Sequence, residues 1–416
     1  MRVLSLSRLC RSIRRGSTPT YATGEDLGCA DVVGQACVRP DGTLDLDQSR
    51  RQATTSGWPE RGRLTGGQVL VNSTGYGTIG RVALVGEITA PTFADSHITV
   101  LDVDPGVGDP RFIVYALMAR GFPRIAEEAL SVGATKQVEL NVETLRRFRV
   151  PAPTREQQVA IADYLDAEIE RSDAFVAARG RQRRLVIERA RAWADAVVSA
   201  AGSRVRVARA IASVEQGASP RCENRPAGTG EVGVLKLSAV GPYGFAASEN
   251  KRLAGGSPDR GLAVDTGDLL VTRANTPSLV GLAAVASVEP AAPRLLLPDL
   301  IYRLTLHKGY DPDYLQIALS TSDARAQISA AARGSSQTMV KLRGDDLRNL
   351  RVPLPPVAQQ QEIARHVCNR RTATDLAITA IDSQISLLRE RRQALITAAV
   401  TGRLQVPDAS VENAAA

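Results

Sequence analysis

The sequence predicts an α+β chain: two similar β-rich domains with helices, joined by two long helices that pair as an antiparallel coiled coil. The whole is a pseudo-twofold tandem duplication. Three observations carry this prediction. The 416 residues match themselves at a shift of 200 to 202, each copy passes from Gly/Pro-broken text into a charged, Pro-free stretch, and the second of those stretches holds a heptad.

The self-match is collinear along both copies. Gly16-Ser17-Thr18-Pro19 recurs as Gly217-Ala218-Ser219-Pro220, and Gly67-Gln68-Val69-Leu70-Val71 as Gly267-Asp268-Leu269-Leu270-Val271. Leu145 through Val150-Pro151-Ala152-Pro153 recurs as Leu347 through Val352-Pro353-Leu354-Pro355. Gln157-Gln158 with Ile161-Ala162 recurs as Gln359-Gln360 with Ile363-Ala364.

Within a copy, short β-branched runs such as Gln68–Asn72, Arg81–Val85 and Ile98–Leu101, separated by Gly, Pro, Asp and Asn, predict strands. A helix comes next around Arg111–Arg120, matched by Pro312–Thr321. The prolines at 151/153 and 353/355/356 stop whatever precedes them. Thr154 and Gln157 then form the S/T-x-x-E/Q capping box that starts a helix. Residues 1–24 hold five arginines and no acid, as a transit peptide does, but the segment has a counterpart inside the chain and is read as folded domain.

In the last stretch Ile378, Ile381, Ile385, Leu388, Leu395 and Ala399 fall at alternating steps of three and four, with Arg392 interrupting one position. That spacing is a coiled-coil seam. The first copy's equivalents are Val176, Arg179, Arg183, Val186, Ala190, Trp193 and Val197, a weaker stripe that includes Gly180, and the two stripes are expected to pair. Residues after Leu404 read as a flexible tail.

Composition narrows the function classes. Apolar residues make up 44% and charged residues 23%, the values of a folded domain. No apolar run approaches the roughly 18 residues of a membrane span. Lys and Arg number 52 against 44 Asp and Glu, a net +8 that permits an acidic partner. Five of the 52 are Lys and 47 are Arg, a skew that a GC-rich genome also produces. Five cysteines without a C-x-x-C pair argue against a disulfide framework or zinc site and fit a reducing cytoplasm.

Motifs that would carry chemistry fail on context. Gly75-Tyr76-Gly77-Thr78-Ile79-Gly80 is a literal G-x-G-x-x-G, but strand-like Arg81–Val85 comes after it where a dinucleotide site needs a helix, and the second copy keeps only the last glycine. It is read as a strand-connecting loop. Asp95-Ser96-His97 offers triad residue types that cannot converge from adjacent positions, so Asp95 is read as structural, with Asp299 as its partner in the second copy. Glu249-Asn250-Lys251 resembles half a nuclease motif without its upstream Asp. The three histidines are scattered, none at metal-ligand spacing. The chain is read as non-catalytic, with no metal and no cofactor of its own.

Two similar modules held apart by paired helices suit a polymer with its own repeat, and double-stranded DNA leads. A helix of about 27 residues, Thr374 to Thr401, spans about 40 Å at 1.5 Å per residue, comparable with the ~34–36 Å between adjacent major-groove half-sites. Because the copies have diverged, the expected site is asymmetric and bipartite. Two other classes stay open here. One is a coiled-coil scaffold with two protein-binding heads, and the other a nuclease using Asp95 or Glu249 with a metal.

The same residues carry a family resemblance. Leu64-x-x-Gly67-Gln68-Val69-Leu70-Val71, Gly77-x-x-Gly80-x-x-Ala83, the Val-Pro-x-Pro segments and the Q-Q-x-x-I helix starts resemble the specificity subunits of type I restriction–modification systems. The closing helix, Ile385-Ser386-Leu387-Leu388-Arg389-Glu390-Arg391-Arg392-Gln393-Ala394-Leu395-Ile396 to Gly402, is similar to that family's. The resemblance covers nearly the whole chain. It implies target-recognition domains at 1–153 and 203–356, spacer helix regions at 154–202 and 357–403, and a tail at 404–416. It also implies two adenine-methylating subunits carrying S-adenosylmethionine, and restriction subunits using ATP and Mg, as partners. Departures are Gln68 where the pattern has Asp, Ala358 opposite Glu156, and Arg179 and Arg183 in the first heptad.

Reading base edges requires polar side chains on loops that reach the major groove. The candidates are Ser17, Thr20, Tyr21, Asn72, Ser73, Tyr76, Thr78, Lys136 and Gln137 in the first copy. In the second they are Ser219, Arg221, Arg273, Asn275, Ser335, Ser336, Gln337 and Lys341.

Overall fold

The structure is a computed structural model that describes residues 2–19, 30–52, 60–119, 121–128, 131–132, 139–242, 244–255, 262–289, 292–336 and 339–406. It divides into two units, Met1–Gly180 with Asp382–Ala416, and Arg181–Ile381. Each unit owns one β-rich head and part of each long helix.

The first head is built on a four-stranded antiparallel sheet, ordered Cys10–Arg15, Ile98–Val103, Val69–Asn72, Val82–Leu84. Its central strand is apolar at every position from Val69 to Val71 because both faces are covered. Val69, Val71 and Leu101 pack against Phe112, Ile113 and Leu117 of the helix Pro110–Ala119. Leu70, Ala83, Ile98 and Val100 face the other way, onto Val33, Cys37, Val38 and Ala94. The alternation arises because side chains point to opposite faces at successive strand positions. A second sheet, Arg50–Gln52, Ala30–Val33, Thr92–Ala94, covers that far side.

The other unit repeats this order with Ile211–Gln216, Ile301–Leu306, Leu269–Thr272 and Ala283–Val285. Leu269 and Val271 meet Tyr314, Leu315 and Leu319, while Leu270, Ala284 and Ile301 meet Leu235, Leu295 and Leu297. The ladder repeats at equivalent positions, Val69 pairing Leu84 and Leu101 where Leu269 pairs Val285 and Leu304. The bulge between Cys10 and Ser12 recurs between Ile211 and Ser213. The duplication read in the sequence is therefore a duplication of topology. The Arg-rich N-terminal segment takes its expected place, with Val3–Ser5 pairing Arg149–Pro151 as Arg204–Arg206 pairs Arg351–Pro353.

The shared motifs have specific causes. Gln158, almost fully buried, accepts from the Asp109 amide at 3.0 Å and donates to the carbonyls of Val107 (3.1 Å) and Pro153 (3.0 Å). Gln360 does the same with the Asp311 amide (2.9 Å) and the Pro355 carbonyl (2.6 Å). The second glutamine of each Q-Q pair thus ties the start of a long helix to the loop before the shorter one. Gly80 and Gly281 sit at φ +76° and +68°, and a Cβ there would lie 2.6 Å from Pro123 Cα and 2.7 Å from an Ile328 methyl, which explains why the last glycine of the loop is kept in both copies. Gln68, the departure from the usual Asp, accepts from the Thr65 amide at 3.0 Å as Asp268 accepts from Asp265 at 3.0 Å, so the exchange keeps the bond.

The central helix, Arg155–Ala200, and the C-terminal helix, Val357–Val400, contain 46 and 44 residues, about 65–70 Å each at 1.5 Å per residue. Both are longer than the heptad alone implies because their first turns, through Ala162 and Leu165 or Ile363 and Ala364, pack into the core of the adjoining head. The predicted capping box is formed, Thr154 N–H donating to Gln157 Oε1 at 3.2 Å and Gln157 N–H to Thr154 Oγ1 at 3.4 Å.

Beyond those turns the burial pattern matches both predicted stripes. Val176, Arg179, Arg183, Val186, Ala190, Trp193 and Val197 are half-buried, as are Ile378, Ile385, Leu388, Arg392 and Leu395, while Ile381 and Ala399 are buried. The contacts between the two helices run antiparallel, Asp173 facing Arg392 in the first unit and Trp193 facing Arg370 in the second. In the first unit Arg392, 15% exposed, reaches Asp173 at 3.6 Å and donates to the Asp41 carbonyl at 2.7 Å. In the second, the Arg370 guanidinium lies 4.7 Å from the Trp193 ring centroid. No described helix is long and apolar enough to cross a membrane.

Candidate nucleic-acid interface

In each head the central strand of the four-stranded sheet runs out at the same edge and meets two other pieces of chain. In the first head the Ser73 amide donates to the His97 carbonyl, and the Leu140 amide to the Ser73 carbonyl. Thr74 bridges Glu139, which lies in the hairpin Ser131–Val132/Glu139–Leu140. In the second head the Arg273 amide donates to the Leu300 carbonyl, and the Leu342 amide to that of Arg273. There Ala274–Asn275 pairs with Met339–Lys341, which pairs back onto Arg333–Ser336. These bonds set the structural correspondence: Ser73 with Arg273, Thr74 with Ala274, His97 with Leu300. They correct the alignment of Asp95 with Asp299 by one position, because the ladder, not the shared Asp, fixes the register.

The first tip is a tied polar cluster. Thr74 accepts from the Gln35 side-chain amide and lies 2.8 Å from His97 Nδ1. Asn72 Nδ2 donates to the Gln35 carbonyl at 3.1 Å. Asp95, 5% exposed, accepts from the His97 amide at 2.8 Å; burial raises its carboxyl above the usual range, against that amide and the nearby cations of Arg50 and Arg15. Arg15 bonds Glu139 and the Leu140 carbonyl (3.2 Å), with burial lowering its pKa and Glu139 opposing the shift. Arg14 donates to the carbonyls of Arg61 (3.0 Å) and Arg63 (2.9 Å), placing more cations beside the same edge.

Candidates from the sequence fall into several groups. Tyr76 is 80% exposed on the turn between the two strands. Thr78 spends its hydroxyl on the carbonyls of Thr74 and Gly75, both at 3.2 Å, inside that turn. Ser17 bridges Asp95. Asn72 and Ser73 are corrections: both are fully buried, Ser73 sharing a 2.6 Å bond with Thr99, because they end the strand and do not begin the loop. Thr20, Tyr21, Lys136, Gln137 and Gln337 lie outside the described residues, and Ser335 and Ser336 are described in backbone only.

The second tip joins Ser219, Arg273, Asn275 and Lys341. Ser219 donates to the Asp299 carboxylate. Arg273 donates to the Tyr302 hydroxyl at 3.2 Å and the Asp299 carbonyl at 3.4 Å, its guanidinium 6.0 Å from the Tyr302 ring. Asn275 accepts from the Thr276 amide at 2.9 Å. Lys341 and Arg221 are exposed, Arg221 through its own extended segment.

The glycine loop, Asp95 and Asn250 have structural places. Gly75–Gly80 connects two antiparallel strands, with no helix after it, and Asp95 is structural. Asn250, beside Glu249 and Lys251, is buried and braces the Ala227 amide at 2.8 Å. Among the described residues no group of three His, Cys, Asp or Glu is placed to hold a metal. The sequence reading missed Gln35 and Thr74, and weighed His97 only as a triad member or ligand. They lie 39 and 23 positions apart, and no local pattern links them.

Each unit thus carries one head, and the two heads share a scaffold and differ at their tips. Residues 62–175 match the type I restriction modification DNA specificity domain. The specificity subunit of the type I restriction enzyme EcoEI of Escherichia coli is 29% identical over 161 residues, 38% of this chain and 27% of that protein. The EcoKI specificity subunit of Escherichia coli strain K12 is 31% identical over 140 residues, 33% of this chain and 30% of that protein. The aligned stretches thus span less than a third of either relative.

Two solved structures share the fold along nearly the whole length. One is a chain from a study of assembly and conformational transition of the type I R-M system (TM-score 0.72, 16% identity, covering 97% of this chain and 98% of that one). The other is the HsdS subunit from Thermoanaerobacter tengcongensis (TM-score 0.50, 16% identity, 97% of each). The chain therefore resembles the specificity subunits of type I restriction–modification systems, with residues 62–175 similar to their DNA specificity domain.

Proposed function

We propose that this chain is the DNA-recognition subunit of a type I restriction–modification complex. In this reading each head reads one half of an asymmetric bipartite site, and the chain directs two methyltransferase subunits, with restriction subunits joining them. The observation that carries it is the contrast between a shared scaffold and unlike tips: Ser73, Thr74 and His97 in one head stand where Arg273, Ala274 and Leu300 stand in the other. Two heads that share a ladder and carry different side chains where it ends suit two different base sequences.

Cations at the tips, Arg14 and Arg61 in the first and Arg333 and Lys341 in the second, suit a phosphate backbone. Exposed apolar side chains on the helix pair, Phe175 and Leu387 in the first unit and Leu185 and Leu376 in the second, suit partner subunits. The chain turns nothing over itself; S-adenosylmethionine, ATP and Mg belong to the partners. The test is genome-wide adenine methylation in the host with and without this gene. Loss of one asymmetric bipartite motif is the expected result. An unchanged methylome, together with no salt-dependent binding of duplex DNA by the purified chain, would leave a protein-binding scaffold instead.

A further inference from the structure

The polar cluster at the first tip constrains the tautomer of an exposed histidine. Thr74 has one hydroxyl proton. Its oxygen already accepts from the Gln35 side-chain NH2, and among the described residues its other polar neighbour is His97 Nδ1 at 2.8 Å. Nδ1 is then the acceptor within reach of the hydroxyl proton, an arrangement that favours a bare Nδ1 with the ring proton on Nε2. Gln35 is itself anchored, its carbonyl accepting from buried Asn72. The His97 ring is exposed at the edge that also presents Tyr76.

The second head has no trace of this relay. The short helical turn Gln35–Cys37 corresponds to Leu237–Ala239, so Gln35, Thr74 and His97 are replaced together by Leu237, Ala274 and Leu300. Sheet order, bulge and ladder are kept while these three positions change from polar to apolar as a set. A relay needed for the frame would not be dispensable in the frame's second copy.

We propose that His97 is a specificity-determining residue of the first head, held by Gln35 through Thr74 as an outward Nε2–H donor to a base acceptor. This rests on the DNA-recognition reading above. The acceptors it fits in the major groove are guanine N7 or O6, adenine N7 and thymine O4. Gln35 and Thr74 are positioning residues: they set which ring nitrogen carries the proton.

The experiment places His97→Leu and Gln35→Glu at the chain's own locus, with its partners present, and maps adenine methylation genome-wide. His97→Leu should relax one position of one half-site, cutting discrimination there about tenfold, while the other half-site keeps its preference and reports that the chain is folded. In Gln35→Glu the carboxylate accepts a hydrogen bond from the Thr74 hydroxyl, Thr74 then accepts from Nδ1–H, and Nε2 becomes an acceptor. Preference at that position should move toward the exocyclic amino group of cytosine or adenine, a change that loss of packing alone does not produce. Wild-type preference in both half-sites of both variants would overturn the proposal. So would a uniform fall in methylation with preference unchanged, the mark of a phosphate contact or a packing role. A wild-type methylome without a bipartite motif would instead remove the recognition reading, before either variant is considered.

Discussion

Replacing Gln158 with Met keeps the side chain's length and volume while removing its amide. Three backbone groups then lose their partner: the Asp109 N–H at 3.0 Å and the carbonyls of Val107 and Pro153 at 3.1 and 3.0 Å. Gln158 is 1% exposed, so water does not replace the amide. At about 1 kcal/mol net for each buried bond, the loss is about 3 kcal/mol, roughly a hundredfold in the unfolding equilibrium. Urea unfolding of the full chain, monitored by hydrogen exchange, reads both the size and the place. The transition of the first unit should move to lower urea while that of the second stays, and the Asp109 amide should lose protection. Gln158→Glu should be worse at neutral pH, because a buried carboxylate would face two carbonyls. Its folded pKa would be raised, so stability returns as pH falls. A loss below about 1 kcal/mol for Gln158→Met, with Asp109 still protected, would refute the reasoning.

The same geometry yields three further outcomes. Gly217→Ala places a Cβ 1.7 Å from the Leu297 carbonyl oxygen, so the backbone must shift; a cost of about 3 kcal/mol in thermal or urea unfolding is expected. Glu231, held at about 2 by its bond to Arg225, binds its proton less readily folded than unfolded, so its contribution is full above about pH 4.5 and lost as pH falls toward 2. The pair is exposed and the effect small, but Glu231→Gln should flatten the acid limb of the stability curve between those values. Arg273→Ala should change discrimination in the second half-site only, and an unchanged recognition sequence and affinity would exclude Arg273 from base reading.

Some of this molecule is written locally. The 200-residue repeat, the Pro-punctuated entry into each long helix, the Thr154–Gln157 box and both seams depend on spacing along the chain, because helix periodicity and capping are short-range. They appear in the structure where the sequence puts them. The glycine loop at 75–80 was likewise legible, since Arg81–Val85 directly after it has strand and not helix character.

The surroundings of the tips were not legible, because they are made by pairing. Asn72 and Ser73 look like the start of a polar loop, yet the ladder carries them one step further into the sheet and buries both. The spacer regions at 154–202 and 357–403 contain both long helices, but that their first turns pack into the core of the adjoining head was not legible. The alignment of His97 with Leu300 required the cross-strand bonds of Ser73 and Arg273. Taken alone, the sequence determined the duplication, the helices and the absence of familiar catalytic patterns. Only the tertiary structure decided that Gln35, Thr74 and His97 meet, because hydrogen bonds between residues 39 and 23 positions apart depend on sheet register, which no local pattern encodes.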